Sequence, residues 1–175
     1  MLNKNFINII SSIVSNDSVA KVKQYNGTVE NQYITGTNAL ALLRAFTTTK
    51  RSASSSRISG FTIGSGTTSA TLNDYALETD IDETNFSIMS SNIIPSIDYN
   101  STPSSATFTQ VWKYNGETEI TINEIAFWAN YYWNSASRIF IIDRTVLDSP
   151  ITVNNGDTFT IAMTIGGKAT VTVNS

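Results

Sequence analysis

Glu119-Ile120-Thr121-Ile122-Asn123-Glu124-Ile125-Ala126-Phe127-Trp128 alternates between two faces. Ile120, Ile122, Glu124, Ala126 and Trp128 fall on one, and Thr121, Asn123, Ile125 and Phe127 on the other. A period of two, rich in β-branched and aromatic residues, is the pattern of a β-strand. Arg138-Ile139-Phe140-Ile141-Ile142-Asp143-Arg144, running on to Val146, supplies an equally apolar hairpin partner. Glu124 lies mid-strand on the Ile120/Ile122 face, where a lone carboxylate is costly unless paired. If the two strands are partners, Arg144 is the guanidinium that pairs it. If Ile125 and Phe127 point inward instead, Glu124 faces solvent.

Strand signals dominate outward from this pair. Ile58 to Ile63 closes at Gly64-Ser65-Gly66, and Phe86 to Ile88 and Ile93-Ile94 are shorter candidates. Ala106 to Tyr114 ends at Asn115-Gly116. Ile151 to Val153 and Thr158 to Ile165 flank the hairpin loop Asn154-Asn155-Gly156-Asp157, and Gly166-Gly167 turns into Ala169 to Val173. Short strands separated by regular turn signals predict a mainly β chain, an antiparallel β-sandwich or jelly-roll-like domain over residues 58–175. No alternation of strands with long helices supports a βαβ plan.

Residues 1–57 read differently. Leu2, Phe6, Ile9 and Ile13 form a helical stripe with Ile10 and Val14 beside it, predicting a short N-terminal helix. It either caps the core or docks as an arm on a neighbouring subunit. Val19 to Tyr25 reads as a strand, and Asn26-Gly27 as a hairpin turn into Thr28-Val29-Glu30. Residues 36 to 46 fit a short helix or a buried strand equally well. Thr47 to Arg57 has no apolar side chain larger than Ala53 and reads as a Ser-rich loop dividing the two parts.

Composition excludes several classes of function. Charged residues are 14% of the 175, hydrophobic residues 41%, and the net charge is −3. So sparse a charge pattern suits a subunit held in an assembly. Lys21 with Lys23, and Lys50 with Arg51, are pairs and not a basic stripe, so no nucleic-acid partner is expected. Cysteine and histidine are absent, which removes thiol nucleophiles, disulfides, the usual zinc sites and His-dependent triads. No apolar run approaches the length of about 18 residues that a membrane span needs, and the N-terminus does not read as a signal peptide.

The remaining chemical candidates are weak. Gly64-Ser65-Gly66-Thr67-Thr68 lacks the Gly-Lys-Ser/Thr ending of a phosphate loop and reads as a tight turn. Asp74, Glu78, Asp80, Asp82 and Glu83 cluster in one loop. That loop is solvated, faces a neighbour's Lys or Arg, or holds a structural Ca²⁺, although the calcium-loop pattern fails. Glu119 and Glu124 face opposite sides of one strand, so they are not the acid pair, about 5–10 Å apart across a cleft, that a glycosidase needs. No catalytic residue, cofactor or metal site is expected. Trp128, Tyr131, Tyr132 and Trp133 form an aromatic cluster that fits a subunit interface, core or loop packing, or a sugar platform. Phe6, Ile9 and Ile13 of the helix are further interface candidates.

Six short motifs in order resemble bacteriophage virion structural proteins, in the β-rich attachment module of tail, baseplate and fibre proteins. They are Ile63-Gly64-Ser65-Gly66, Asp74-Tyr75-Ala76-Leu77-Glu78, Thr121 through Trp128, Arg144-Thr145-Val146-Leu147, Pro150-Ile151, and Gly156-Asp157 leading to Thr164-Ile165. The chain departs from the pattern at Ala126-Phe127-Trp128, where these proteins often have Gly-Leu-Phe, and in the aromatic residues that follow. The resemblance implies a non-enzymatic virion part that assembles with other virion proteins and with copies of itself. No repetitive fibre shaft follows Ile165, which leads us to expect a small tail, baseplate or adaptor component, or else a capsid decoration protein. A carbohydrate-binding module, built on the aromatic cluster, is the alternative from another class.

Overall fold

The computed structural model describes residues 3–14, 19–33, 60–89, 96–98, 105–133 and 136–166. The fold is mainly β, two antiparallel sheets packed as a sandwich with one short N-terminal helix. The first sheet has the order β3 (Gly60–Gly64), β7 (Ile120–Trp133), β8 (Ala136–Val153). In the second, β6 (Ser105–Tyr114) pairs along one edge with β9 (Thr158–Gly166). Its other edge takes β4 (Phe86–Ile88) at one end and β5 (Ser96–Asp98) at the other. The helix α1 (Lys4–Val14) and the hairpin of β1 (Val19–Lys23) with β2 (Val29–Tyr33) complete the described elements.

The inward faces of the sheets meet through aromatic rings. Phe127 of β7 lies 4.8 Å from Phe61 of β3 and 5.4 Å from Phe108 of β6, centroid to centroid. Trp112, Phe140, Ile142 and Ile161 fill the same core. Each such side chain removed from water contributes on the order of 1.5–3 kcal/mol, so this layer carries most of the fold.

The two faces of β7 do not keep a single alternation. Ile120 and Ile122 belong to the main core, but beyond Asn123 the main core is joined by Ile125, Phe127 and Ala129. Glu124, Ala126 and Trp128 turn to the opposite face, where Ala126 and Trp128 pack with Ile139 and Ile141. The cause lies in the pairing with β8: Ile122 pairs with Ile151 and Glu124 with Val146, so Leu147 through Pro150 stand opposite Asn123 alone. Bulges of this kind bend a strand and re-aim its side chains. A second irregularity leaves Ile142 without a partner position between the Phe127–Asp143 and Trp128–Ile141 pairs. The stretch expected as two strands, up to Val146 and from Ile151, is thus one long bulged strand.

The N-terminal elements share the sandwich core. Ile9, Ala20 and Val22 are buried in the same cluster as Phe61 and Phe127, so the composition change near residue 57 is not a change of core. They also cover the outer edge of β8, where Asn3 N–H donates to Ile142 O at 2.8 Å and Tyr25 N–H to Ile139 O at 3.1 Å. Covering an edge in this way removes unpaired backbone groups from solvent. The hairpin turns at Asn26-Gly27, with Gly27 at φ +82°, a left-handed conformation that glycine adopts without strain. Residues 36 to 46, the Ser-rich loop, Ile93-Ile94 and Ala169 to Val173 lie outside the described residues.

Candidate functional site

Glu124 and Arg144 meet on the outer face of the β3–β7–β8 sheet. Arg144 pairs across the ladder with Ala126, two positions along from Glu124 and on the same face. Arg144 Nε–H donates to Glu124 Oε2 at 2.7 Å, and both side chains are buried, Glu124 completely. A carboxylate here survives because it is saturated. Gly66 N–H at 3.1 Å and Thr79 N–H at 2.9 Å donate to Oε1, and Glu78 N–H at 3.2 Å joins Arg144 on Oε2. Four donors occupy the roughly four lone-pair sites of a carboxylate.

The donors come from the segment that leaves β3 and crosses over the sheet. Gly64 and Gly66 let its backbone close on Glu124. A Cβ on Gly64 would sit 2.6 Å from both Glu124 Oε1 and Thr79 O, and one on Gly66 would strike the same carboxylate oxygen. The Gly-Ser-Gly turn is therefore set by close approach to a side chain. Neighbouring amides tighten it: Asn123 Nδ2–H donates to Ser65 O at 2.8 Å.

Arg144 spends its remaining donors on the same segment. Nη1–H donates to Asp74 Oδ2 at 2.8 Å and Nη2–H to Thr68 O at 3.0 Å, with Glu78 Oε2 at 3.8 Å from Nη2. Asp74 also accepts from the N–H and hydroxyl of Thr71, and Glu78 from those of Thr68. Burial raises the Asp74 carboxyl, but the Thr71 donors and the Arg144 guanidinium outweigh it, so the group titrates below its ordinary value. The Thr68 hydroxyl and N–H, with Arg144 adding charge, lower Glu78 as well. Burial opposes the charged Arg144, while the hydrogen bonds and charges of Asp74 and Glu124 reverse that and raise it.

Asp74 and Glu78, read from sequence as part of one acidic loop, thus have specific structural partners. Among the described residues no group of three or more acids is arranged to hold a metal ion. The constellation can clamp the segment from Gly66 to Thr79 onto a sheet. With every Glu124 lone pair engaged, it offers no free acceptor there for moving a substrate proton.

The interface candidates divide. Ile9 is fully buried and Trp128 nearly so, both within their own chain, and Phe6 packs half-buried against the main core. The parity switch in β7 turns Trp128 to the outer face of the sheet, where it is buried with Ala126, Ile139 and Ile141 against Ala76 and Leu77. Its Nε1–H donates to Thr62 Oγ1 at 2.7 Å, as a buried indole requires. Neither Ile9 nor Trp128 presents a surface to a partner or a sugar: the interface and sugar readings are corrected for these two residues, and the core-packing reading is the one that holds. Ile13 lies in α1, and Tyr131, Tyr132 and Trp133 continue β7 opposite Arg138, Ser137 and Ala136. The side chains of these four lie outside the described residues.

Sequence reasoning missed Asn3 and Asn5. Both are buried, and Asn5 joins three elements: Oδ1 accepts from Lys23 N–H at 2.8 Å, while Nδ2–H donates to Lys23 O and Ile141 O. Asn3 Nδ2–H donates to Asp74 O, tying the helix start to the clamped segment. The available signal was asparagine at two positions two apart, flanking Lys4 at the helix start. Comparison with protein-family models, with characterised proteins and with solved structures returns no match to this chain.

Proposed function

We propose that this chain is a non-enzymatic structural component of a bacteriophage particle, a tail, baseplate or adaptor subunit working by packing against its neighbours. The observation that carries this reading is where the ordered motifs lie. Gly64 and Gly66, Asp74 and Glu78, Glu124, and Arg144 come from four separated stretches and converge in one ion-pair knot. Such a knot accounts for why those residue types recur at those places in the virion proteins the sequence resembles: they hold a loop on a sheet. The low charge content agrees with a subunit that spends its life in an assembly. A capsid decoration protein has the same physical requirements and differs only in position on the particle.

The test is immunogold labelling of purified particles with an antibody against the chain. The reading expects labelling at fixed sites, tail or head, which also separates its two forms. Antigen found only in the soluble lysate would overturn it. The sugar-platform alternative loses Trp128 to the core and would rest on Tyr131, Tyr132 and Trp133 alone.

A further inference from the structure

A groove of about 280 Å³ opens where α1, the β1–β2 hairpin and the clamped segment meet. Lys4, Lys21 and Lys23 line it, with Val29 and Leu72, which are 63% and 47% exposed. Among the described residues the one carboxylate in its wall, Asp74, is already engaged by Arg144 and Thr71. Lys23 is held in place over the Tyr75 ring, its Nζ 4.1 Å from the centroid. The groove therefore presents positive charge beside apolar surface, on a chain whose net charge is −3.

Its complement lies on the other side of the same sheet. The segment returning from the clamp runs along the free edge of β3: Ser65 N–H donates to Thr79 O and Ile81 N–H to Ile63 O, and Asp80 bridges Gly64. Asp80 and Asp82 are exposed there. The groove elements, in contrast, cover the outer edge of β8. Basic groove and acidic edge thus flank opposite edges of a three-stranded sheet.

We propose that the Lys4–Lys21–Lys23 groove of one copy receives the Asp80–Asp82 edge of a second copy, head to tail. This rests on the assembly reading and names one of its contacts. Because the two surfaces lie on opposite edges of the sheet, one partner cannot engage both at once, so the contact is heterologous and its repetition gives a ring or a filament, not a closed dimer. Unlike charges across the contact fix its register and make it salt-dependent.

Sedimentation velocity of the full chain over a concentration series tests this. At low ionic strength the chain is expected to form species that grow with concentration and to revert to monomer at high salt. Lys4→Glu/Lys21→Glu and Asp80→Lys/Asp82→Lys should each weaken association by about tenfold or more, with melting curves confirming that both variants fold. Lys23 is left intact so that its Tyr75 contact survives. An equimolar mixture of the two variants should associate again, since each restores the opposite charge to the other. A strict monomer at all concentrations, or association indifferent to salt and to both variants, would overturn the contact. Particle labelling is independent of this outcome, so failure of the contact and failure of the virion reading are told apart.

Discussion

Arg144 and Glu124 stand two ladder positions apart on neighbouring strands, on the same face, and their side chains close a 2.7 Å ion pair from which water is excluded. A buried pair is stabilising over its own desolvation only if the remaining lone pairs and protons are satisfied. Here they are, by backbone N–H groups of one crossing segment and by Asp74.

Glu124→Gln tests the saturation of the carboxylate. Whichever way the amide is placed, its NH₂ faces two protein donors that it cannot accept. Stranding buried donors costs about 1–3 kcal/mol, so the chemical-denaturation midpoint should fall accordingly. An unchanged midpoint would mean that the donors find other partners.

Gly64→Ala adds a methyl 2.6 Å from Glu124 Oε1 and from the backbone oxygen of Thr79. The backbone oxygen cannot rotate away, so the segment must lift off the sheet. We expect a loss of about 1–3 kcal/mol in thermal melts, with faster amide exchange at Thr79, whose N–H donates to Glu124. Wild-type exchange at that amide would contradict the close approach.

Acid should loosen the clamp. Asp74 and Glu78 are held below their ordinary values of 3.8 and 4.5, so the unfolded chain binds more protons than the folded one at acidic pH. Their contribution is complete above those ordinary values and is lost as pH falls through them towards the lowered folded values. Asp74→Asn should be less stable than wild type at neutral pH and lose less on acidification. Parallel stability profiles for the two proteins would rule out this linkage.

Asn5→Ala removes acceptor and donors that link α1, β1 and β8. The expected cost is about 1–3 kcal/mol, read as selective loss of hydrogen-exchange protection at Lys23. Uniform loss across the sandwich would show instead that α1 and the hairpin do not open separately.

Much of the fold was legible because the strands carry it locally. The alternation around Ile120 to Trp128, the Asn26-Gly27 turn and the Asn154 to Asp157 hairpin each contain their own signal. The Glu124–Arg144 pairing was also readable, as a carboxylate stranded in an apolar strand beside a guanidinium-bearing one. The parity switch at Asn123 was not, because its cause is the four residues Leu147 to Pro150 opposite it on another strand. That switch puts Trp128 on the outer face of the sheet, and the crossing segment, through Ala76 and Leu77, is what buries it there. Asp74 and Glu78 looked like solvated acids for a similar reason: their partners, Arg144, Thr71 and Thr68, are placed by the crossing of the loop. Asn5 went unread because its value lies in three hydrogen bonds to β1 and β8, which only the docking of α1 supplies.

A double-mutant cycle on Glu124 and Arg144 tests most directly that this site is a fold-holding clamp. Glu124→Gln and Arg144→Met should each destabilise the chain in urea titrations, and the double variant should cost less than their sum by about 1–3 kcal/mol. Strictly additive losses, or single variants as stable as wild type, would contradict it.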